Sequence, residues 1–281
     1  MIENHLYNVE KNYISLEDKD LLLNFLLKEK GLDFREYSEA SVRRRIAKIL
    51  SELRISNVES YIDHLREEEE ALDEFIEKFT VNVTEMFRDP FFYNTLVKAA
   101  FPILKQKEKI KIWSAGCSTG EEVLSLAIVL HENGMLEKTE ILGTDLSDSV
   151  LEIAKKKTYK VRHLEGFSKA YMDSGGKASL AEYYSKNGEY GTFEDDLYKN
   201  IKFEKHNLVN GGIFSGYDLI ICRNVLIYFN ANLQHKVISN FNRALNPRGF
   251  LALGSKESVI FFNDRLQFKE LIQESKIYQK V

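Results

Sequence analysis

Apolar residues recur along this chain with two different periods. Leu21, Leu22, Phe25 and Leu26 follow helical spacing and stop at Gly31. Val42, Ile46, Ile49, Leu50 and Leu53 mark one side of a second helix, whose other side carries Arg43, Arg44, Arg45 and Lys48, with Arg54 following. A third helix is predicted from Val58 to about Arg66 and a fourth from Ala71 to Phe79. Pro90 is the one proline of this region, so little interrupts the helices. Residues 1 to about 100 therefore read as a helical domain with a linker.

From about residue 108 the pattern changes to strands alternating with helices, which favours a parallel sheet. Strands are predicted at 110–115, 140–145, 201–206, 217–222 and 249–254. An antiparallel pair near 266–270 and 276–280 suits the edge of a mixed sheet. Residues 101–281 thus form an α/β domain. Between 159 and 200 the alternation fails: Gly166, Gly175, Gly176, Gly188 and Gly191 are interleaved with Tyr171, Tyr183, Tyr184, Tyr190 and Phe193. That stretch, about 160–200, is expected to be an inserted lobe of turns and short strands.

The first strand of this domain carries the most chemistry. Ile110, Ile112, Trp113 and Ala115 stop at Gly116-Cys117-Ser118-Thr119-Gly120, and Glu121-Glu122 open a helix continued by Val123, Leu124, Ala127, Ile128 and Leu130. A strand, a glycine turn and a helix start bring backbone close to a nucleotide in open α/β sheets. Side chains at the glycines would obstruct the turn or the ligand. The second strand ends in Asp145, 25 positions after Gly120. An acid there can accept both ribose hydroxyls. It can also cap the helix beginning at Ser147, a need that Ser147 or Asp148 could meet instead. Val123 stands where the third glycine of a pyrophosphate fingerprint would fall, so an adenosyl ligand without a diphosphate fits better than NAD.

Composition narrows the classes. The chain has 281 residues, 44% hydrophobic and 29% charged, which is ordinary for a globular protein holding one large or two modest domains. A net charge of −4 argues against a general nucleic-acid binder. No run approaches about 18 apolar residues and no signal-peptide pattern is seen, which predicts a cytoplasmic protein without membrane insertion. Cys117 and Cys222 are expected to stay thiols, and no His/Cys spacing suggests a metal.

Three further segments are expected at the carboxyl ends of the strands. Thr80-Val81-Asn82-Val83-Thr84-Glu85-Met86-Phe87-Arg88 suits a linker lying over a ligand, or a helix cap with a surface arginine. His206-Asn207-Leu208 offers an amide and an aliphatic side chain to flank a purine. Tyr217 to Phe229 runs as a buried strand into Arg223-Asn224 and an aromatic pair, and an unpaired buried guanidinium there would be costly.

Taken together, Asn82-x-Thr84-x-x-x-Arg88, Trp113 to Glu122, Thr144-Asp145, His206-Asn207-Leu208 and Cys222-Arg223-Asn224-Val225-x-Ile227-Tyr228-Phe229 resemble the bacterial chemotaxis receptor methyltransferases, the CheR family. The likeness spans nearly the whole chain with five motifs in order. It implies a Rossmann-like, seven-stranded mixed methyltransferase sheet, an N-terminal helical domain and an inserted small β-subdomain. It also implies an S-adenosylmethionine-dependent protein-glutamate O-methyltransferase with S-adenosylhomocysteine as product. By motif position, Asn82, Thr84, Arg88, Glu122, Asp145, Asn207, Leu208, Arg223 and Asn224 would line the cofactor site. Asp145 would hold the ribose, Asn207-Leu208 would border the adenine, and Glu122 would lie beside the methionyl group, with Glu121 a near-equal candidate.

A glutamate side chain, with an ordinary pKa of about 4.3, is ionised at neutral pH and needs neither base nor metal to accept a methyl. Arg88 would orient the substrate carboxylate or the cofactor's own, and Tyr228 would wall the transfer site or pack against the sheet. Partners implied by the resemblance are the cytoplasmic domains of transmembrane chemoreceptors or related chemosensory proteins, and the protein is expected to be a monomer. The basic residues Arg43, Arg44, Arg45 and Lys48 would steer an acidic receptor helix. Residues 160–182 are longer, and the Asn187–Gly191 turn shorter, than in family members that dock a receptor tether, so no tether is expected. Two other readings stay open: a methyltransferase with a different substrate, and a regulatory module that binds S-adenosylmethionine or S-adenosylhomocysteine without turnover.

Overall fold

A computed structural model describes residues 14–68, 70–259 and 268–281, which group into two compact units. The first runs through Val81 and takes in Tyr228–Leu233; the second comprises Asn82–Ile227 and Gln234–Val281.

The first unit contains α1 (Leu16–Lys30), α2 (Glu39–Leu53), α3 (Val58–Glu67) and α4 (Ala71–Phe79). Local chemistry sets their ends. The Ser15 hydroxyl accepts the Asp18 N–H at the start of α1, and Gly31 closes it in the left-handed region at φ 70°. The Asn57 side chain accepts the Ser60 N–H at the start of α3. Their apolar stripes meet around Phe34, Phe75 and Phe79, with ring centroids 4.7 to 5.9 Å apart. The 228–233 segment belongs here by its bonds: Ser38 N–H donates to Tyr228 O, Asn230 N–H donates to Glu36 O, and Tyr37 pairs with Phe229.

Arg45 departs from the expected basic face. It is 8% exposed, its guanidinium lies 4.3 Å above the Tyr228 ring, and one N–H donates to Phe79 O at 2.8 Å. The residue stands three positions after Val42 and four before Ile49, so the α2 screw turns it onto the apolar stripe. Arg44 and Lys48 are exposed and Arg43 half-buried on the other side.

The second unit begins with α5 (Pro90–Thr95) and α6 (Phe101–Leu104), followed by β1 (Ile110–Ala115), α7 (Glu121–Glu132), β2 (Thr139–Asp145) and α8 (Asp148–Lys156). Then come β3 (Thr158–Lys160), α9 (Val161–Asp173), β4 (Tyr184–Asn187), β5 (Tyr190–Phe193), α10 (Asp195–Tyr198) and β6 (Ile201–Lys205). The last elements are β7 (Tyr217–Cys222), α11 (Ala231–Ala244), β8 (Leu245–Leu253), β9 (Phe268–Glu270) and β10 (Ile277–Lys280). The first helices join this unit because Phe92, Leu96, Phe101 and Leu104 share one apolar core with Ile110 and Ile112. The boundary accordingly falls at Val81 rather than near residue 100.

Seven strands form one sheet in the order β6-β2-β1-β7-β8-β10-β9. The first five in that order are parallel, and β10 runs antiparallel to β8 and β9. This is the mixed sheet the sequence led one to expect, with β8 starting earlier, at Leu245. The chain leaves β1 toward β2 on one side and later returns to β7 on the other. That reversal opens a crevice at the carboxyl ends of β1 and β7, where open sheets bind ligands.

The insert differs from its sequence reading. It starts with a 13-residue helix, α9, and only β3, β5 and β4 form a small antiparallel sheet. Leu164 and Tyr171 lie one helical repeat of seven apart on the buried side of α9, while Gly166 sits on the helix with open space around it. The lobe is pinned to α7: the hydroxyls of Tyr171 and Tyr183 both donate to Glu132 Oε1, at 2.5 and 3.0 Å.

Candidate functional site

The crevice is built from four chain turns. After β1, Gly116 and Cys117 both donate N–H to Thr144 O, folding the turn back over the end of β2. Gly116 has φ 80°, and a Cβ there would stand 2.5 Å from Val225 Cγ2, so only glycine lets the loop after β7 close on this turn. Ser118 is left-handed at φ 50°, and its N–H donates to Asp145 Oδ2 at 2.9 Å. The other oxygen, Oδ1, accepts the Ser147 N–H at 3.2 Å. Asp145 thus holds two turns at once, and a carboxylate with about four acceptor positions keeps capacity for ligand hydroxyls. Burial pushes its carboxyl above the ordinary range, against the pull of the N–H donors of Ser118, Ser147 and Leu146.

Glu122, in the first turn of α7, receives the Ser114 hydroxyl on Oε1 at 2.9 Å and Arg223 Nη1 on Oε2 at 3.3 Å. Glu121 turns instead to the Thr119 hydroxyl at 2.6 Å, and its burial raises its carboxyl. The two neighbours, near-equal on sequence, are therefore separated by their partners. Thr119 O in turn accepts the Tyr159 hydroxyl from β3 at 2.8 Å, so the insert touches the glycine turn.

Arg223 forms the centre of a clamp. Its side chain is 2% exposed; Nη2 donates to Asp89 Oδ2 at 2.7 Å and to Arg88 O at 3.0 Å, and Cζ lies 4.2 Å from the Phe92 ring centroid. The turn it grips is strained. Phe87 and Asp89, on either side of Arg88, are both left-handed at φ 55°. Such non-glycine residues persist only where their surroundings over-determine them. Phe87 is buried and donates its N–H to the Ser125 hydroxyl. Arg88 itself is half-buried, and its guanidinium meets no carboxylate among the described residues.

The remaining residues expected at the site fall as follows. Asn82 and Thr84 are half-buried on the irregular segment before α5, and Asn82 O accepts the Ser118 hydroxyl at 3.4 Å. Asn207 follows β6, its Oδ1 accepting the Val209 N–H at 2.9 Å, and His206 N–H donates to Asp145 O. Leu208 lines a recess with Trp113, His206 and Phe241. Asn224, left-handed at φ 62°, follows Arg223 directly. Ser118, Asp145, Glu122, Arg88, Arg223 and Asn224 are joined by this bond network or by chain adjacency. Tyr228 packs within the helical unit beneath Arg45. Cys117 and Cys222 are buried free thiols, and burial pushes both well above the ordinary thiol range.

Sequence reasoning missed Asp89, Phe92 and Ser114. Ser114 could have been suspected as a hydroxyl in the buried, otherwise apolar stretch Ile112–Ala115. Asp89 and Phe92 become meaningful only through Arg223, far along the chain.

The residues suit an adenosyl ligand: a glycine turn closed to any side chain, an acidic strand tip with acceptor capacity, and an arginine that meets no carboxylate among the described residues. Comparison with known proteins agrees. Residues 82–275 match the family model described as CheR methyltransferase, SAM binding domain, and residues 17–80 match CheR methyltransferase, all-alpha domain. A Pseudomonas putida protein named Cher3 is 37% identical over 262 residues, covering 92% of this chain and 95% of its own length. The chemotaxis protein methyltransferase of Listeria monocytogenes is 30% identical over 260 residues, covering 90% and 92%. That of Vibrio anguillarum is 28% identical over 260 residues, covering 86% and 90%. With both models matched in order and the relatives aligned along most of their length, the chain belongs to the CheR methyltransferase family, its second unit being the S-adenosylmethionine-binding domain.

Proposed function

We propose that this methyltransferase esterifies glutamate side chains of chemoreceptors. The observation that carries the reading is Arg88: a guanidinium that meets no carboxylate among the described residues, on a strained turn that Arg223 holds rigid. A fixed fork of N–H donors suits a carboxylate, from the substrate or from the cofactor's methionyl end. Asp145 would accept the ribose hydroxyls, Asn207 and Leu208 would border the adenine, and Asn82, Thr84, Glu122 and Asn224 would complete the cofactor's surroundings. When bound, S-adenosylmethionine would supply an electrophilic sulfonium methyl, and an ionised glutamate would need no general base to accept it, the S–CH3 bond breaking to leave S-adenosylhomocysteine. The protein's part is then orientation and exclusion of water. Arg44 and Lys48, exposed on α2, with Arg43 beside them, offer charge complementary to an acidic helix.

The test is incubation of the purified protein with methyl-labelled S-adenosylmethionine and membranes bearing receptors of the same organism. Base-labile label on receptor glutamates is the expected result, with a loss of about 100-fold or more in Arg88→Ala. Tight cofactor binding with no label on any receptor would overturn the reading in favour of a sensing module.

A second expectation concerns pH. The ionised form of Asp145 is the one that accepts ribose hydroxyls, and its burial raises the pH at which it protonates. Affinity for S-adenosylhomocysteine should therefore fall on acidification at a higher pH than an ordinary aspartate would impose. The effect on folding has the opposite sign: burying the anion costs nothing below the unfolded-state value and its full amount above the raised folded value. Calorimetric titrations across the acidic range check this, and Asp145→Asn should lack that acid limb.

A further inference from the structure

Glu257, in the loop after β8, is 4% exposed and has no cationic partner among the described residues. Its carboxylate is instead surrounded by backbone donors. Oε1 accepts the N–H groups of Val225, Leu226 and Ile227 at 2.9, 2.7 and 3.3 Å. Oε2 accepts those of Asn224 and Gly254 at 2.9 and 2.6 Å. Four consecutive amides of the loop after β7 thus converge on one side chain about 30 residues away. Burying an anion without a counter-charge is costly, and only several N–H dipoles aimed at it offset that cost. A neutral amide could not replace it, because its NH2 group would face two or three of these donors.

The loop held in this way belongs to the site. It starts at left-handed Asn224, directly after the Arg223 that grips the Arg88 turn. Val225 fills the space above Gly116 that any side chain there would occupy. Gly254 must also lack a side chain, since a Cβ would stand 2.7 Å from Glu257 Oε2 and 2.9 Å from Asn224 N.

We propose that Glu257 is a positioning residue for methyl transfer, an internal anion that fixes the 224–227 loop against the glycine turn. This rests on the receptor-methylation reading above. The test compares Glu257→Gln with wild type in the full chain by hydrogen exchange at amides 224–227 and by turnover at saturating S-adenosylmethionine with receptor membranes. Exchange at 224–227 should accelerate at least about tenfold while β1 and β2 keep their protection. Turnover should fall at least about tenfold even with cofactor saturating, which a loss of global stability alone would not produce. Turnover within twofold of wild type, or unchanged exchange, would overturn the proposal. A wild-type protein that labels no receptor removes the function reading, whereas wild-type labelling matched by the variant removes only the role of Glu257. If Glu257→Gln does not fold, Gly254→Ala carries the same readouts, since its methyl displaces the carboxylate with every charge retained.

Discussion

Arg223→Met is expected to destabilise the second unit by about 3–5 kcal/mol and to abolish measurable methyl transfer, because it strips an ion-pair network of the only cation it has among the described residues. The loss is uneven. Asp89, with 44% of its side chain exposed, can turn to water, whereas Glu122, 15% exposed, keeps among the described residues the Ser114 hydroxyl alone. The Phe92 ring loses a cation 4.2 Å away, and the left-handed residues flanking Arg88 lose the bond to Arg88 O that holds them. Lysine cannot replace this arginine, since one ammonium cannot reach both carboxylates and the carbonyl with fork geometry. The chain has one tryptophan, Trp113, buried in β1, so denaturation followed by its fluorescence reports on this unit without contribution from the helical one. A change below about 1 kcal/mol with transfer intact would show that the clamp does not hold the Arg88 turn.

Asp145→Ala should weaken binding of S-adenosylhomocysteine about 100-fold. Two hydrogen bonds from ribose hydroxyls to an anion are worth about 1.5 kcal/mol each, and about 3 kcal/mol is roughly two decades in affinity. The variant also leaves the Ser118 and Ser147 amides without their acceptor. Asp145→Asn separates the contributions, because it retains one oxygen for an amide while losing the charge. Calorimetric titration showing unchanged affinity in the alanine variant would move the ribose elsewhere.

Much of this site could be read from the chain itself, for a definite reason. The turn after β1 and the acid ending β2 are local features, set by residues adjacent in sequence, and the structure bonds Ser118 to Asp145. The four N-terminal helices and the strands were equally legible because their apolar periods are uninterrupted. Three things were not. Arg45 looked like part of a basic cluster until helical position outweighed composition. The helix α9 was hidden by glycines and tyrosines that read as turn residues, although Leu164 and Tyr171 keep helical register. Glu257 gives no local sign at all, because its partners are amides, which every sequence position supplies alike.

The grouping of Tyr228–Leu233 with the helical bundle means that the polypeptide crosses between the two bodies three times. Neither can be excised as a single continuous stretch. A fragment beginning at Asn82 would keep Phe229 but lose the Tyr37 ring centred 4.8 Å from it, along with the Glu36 carbonyl and Ser38 amide that bond its neighbours. Swapping the helical bundle between family members would therefore require a matched graft of this six-residue return segment.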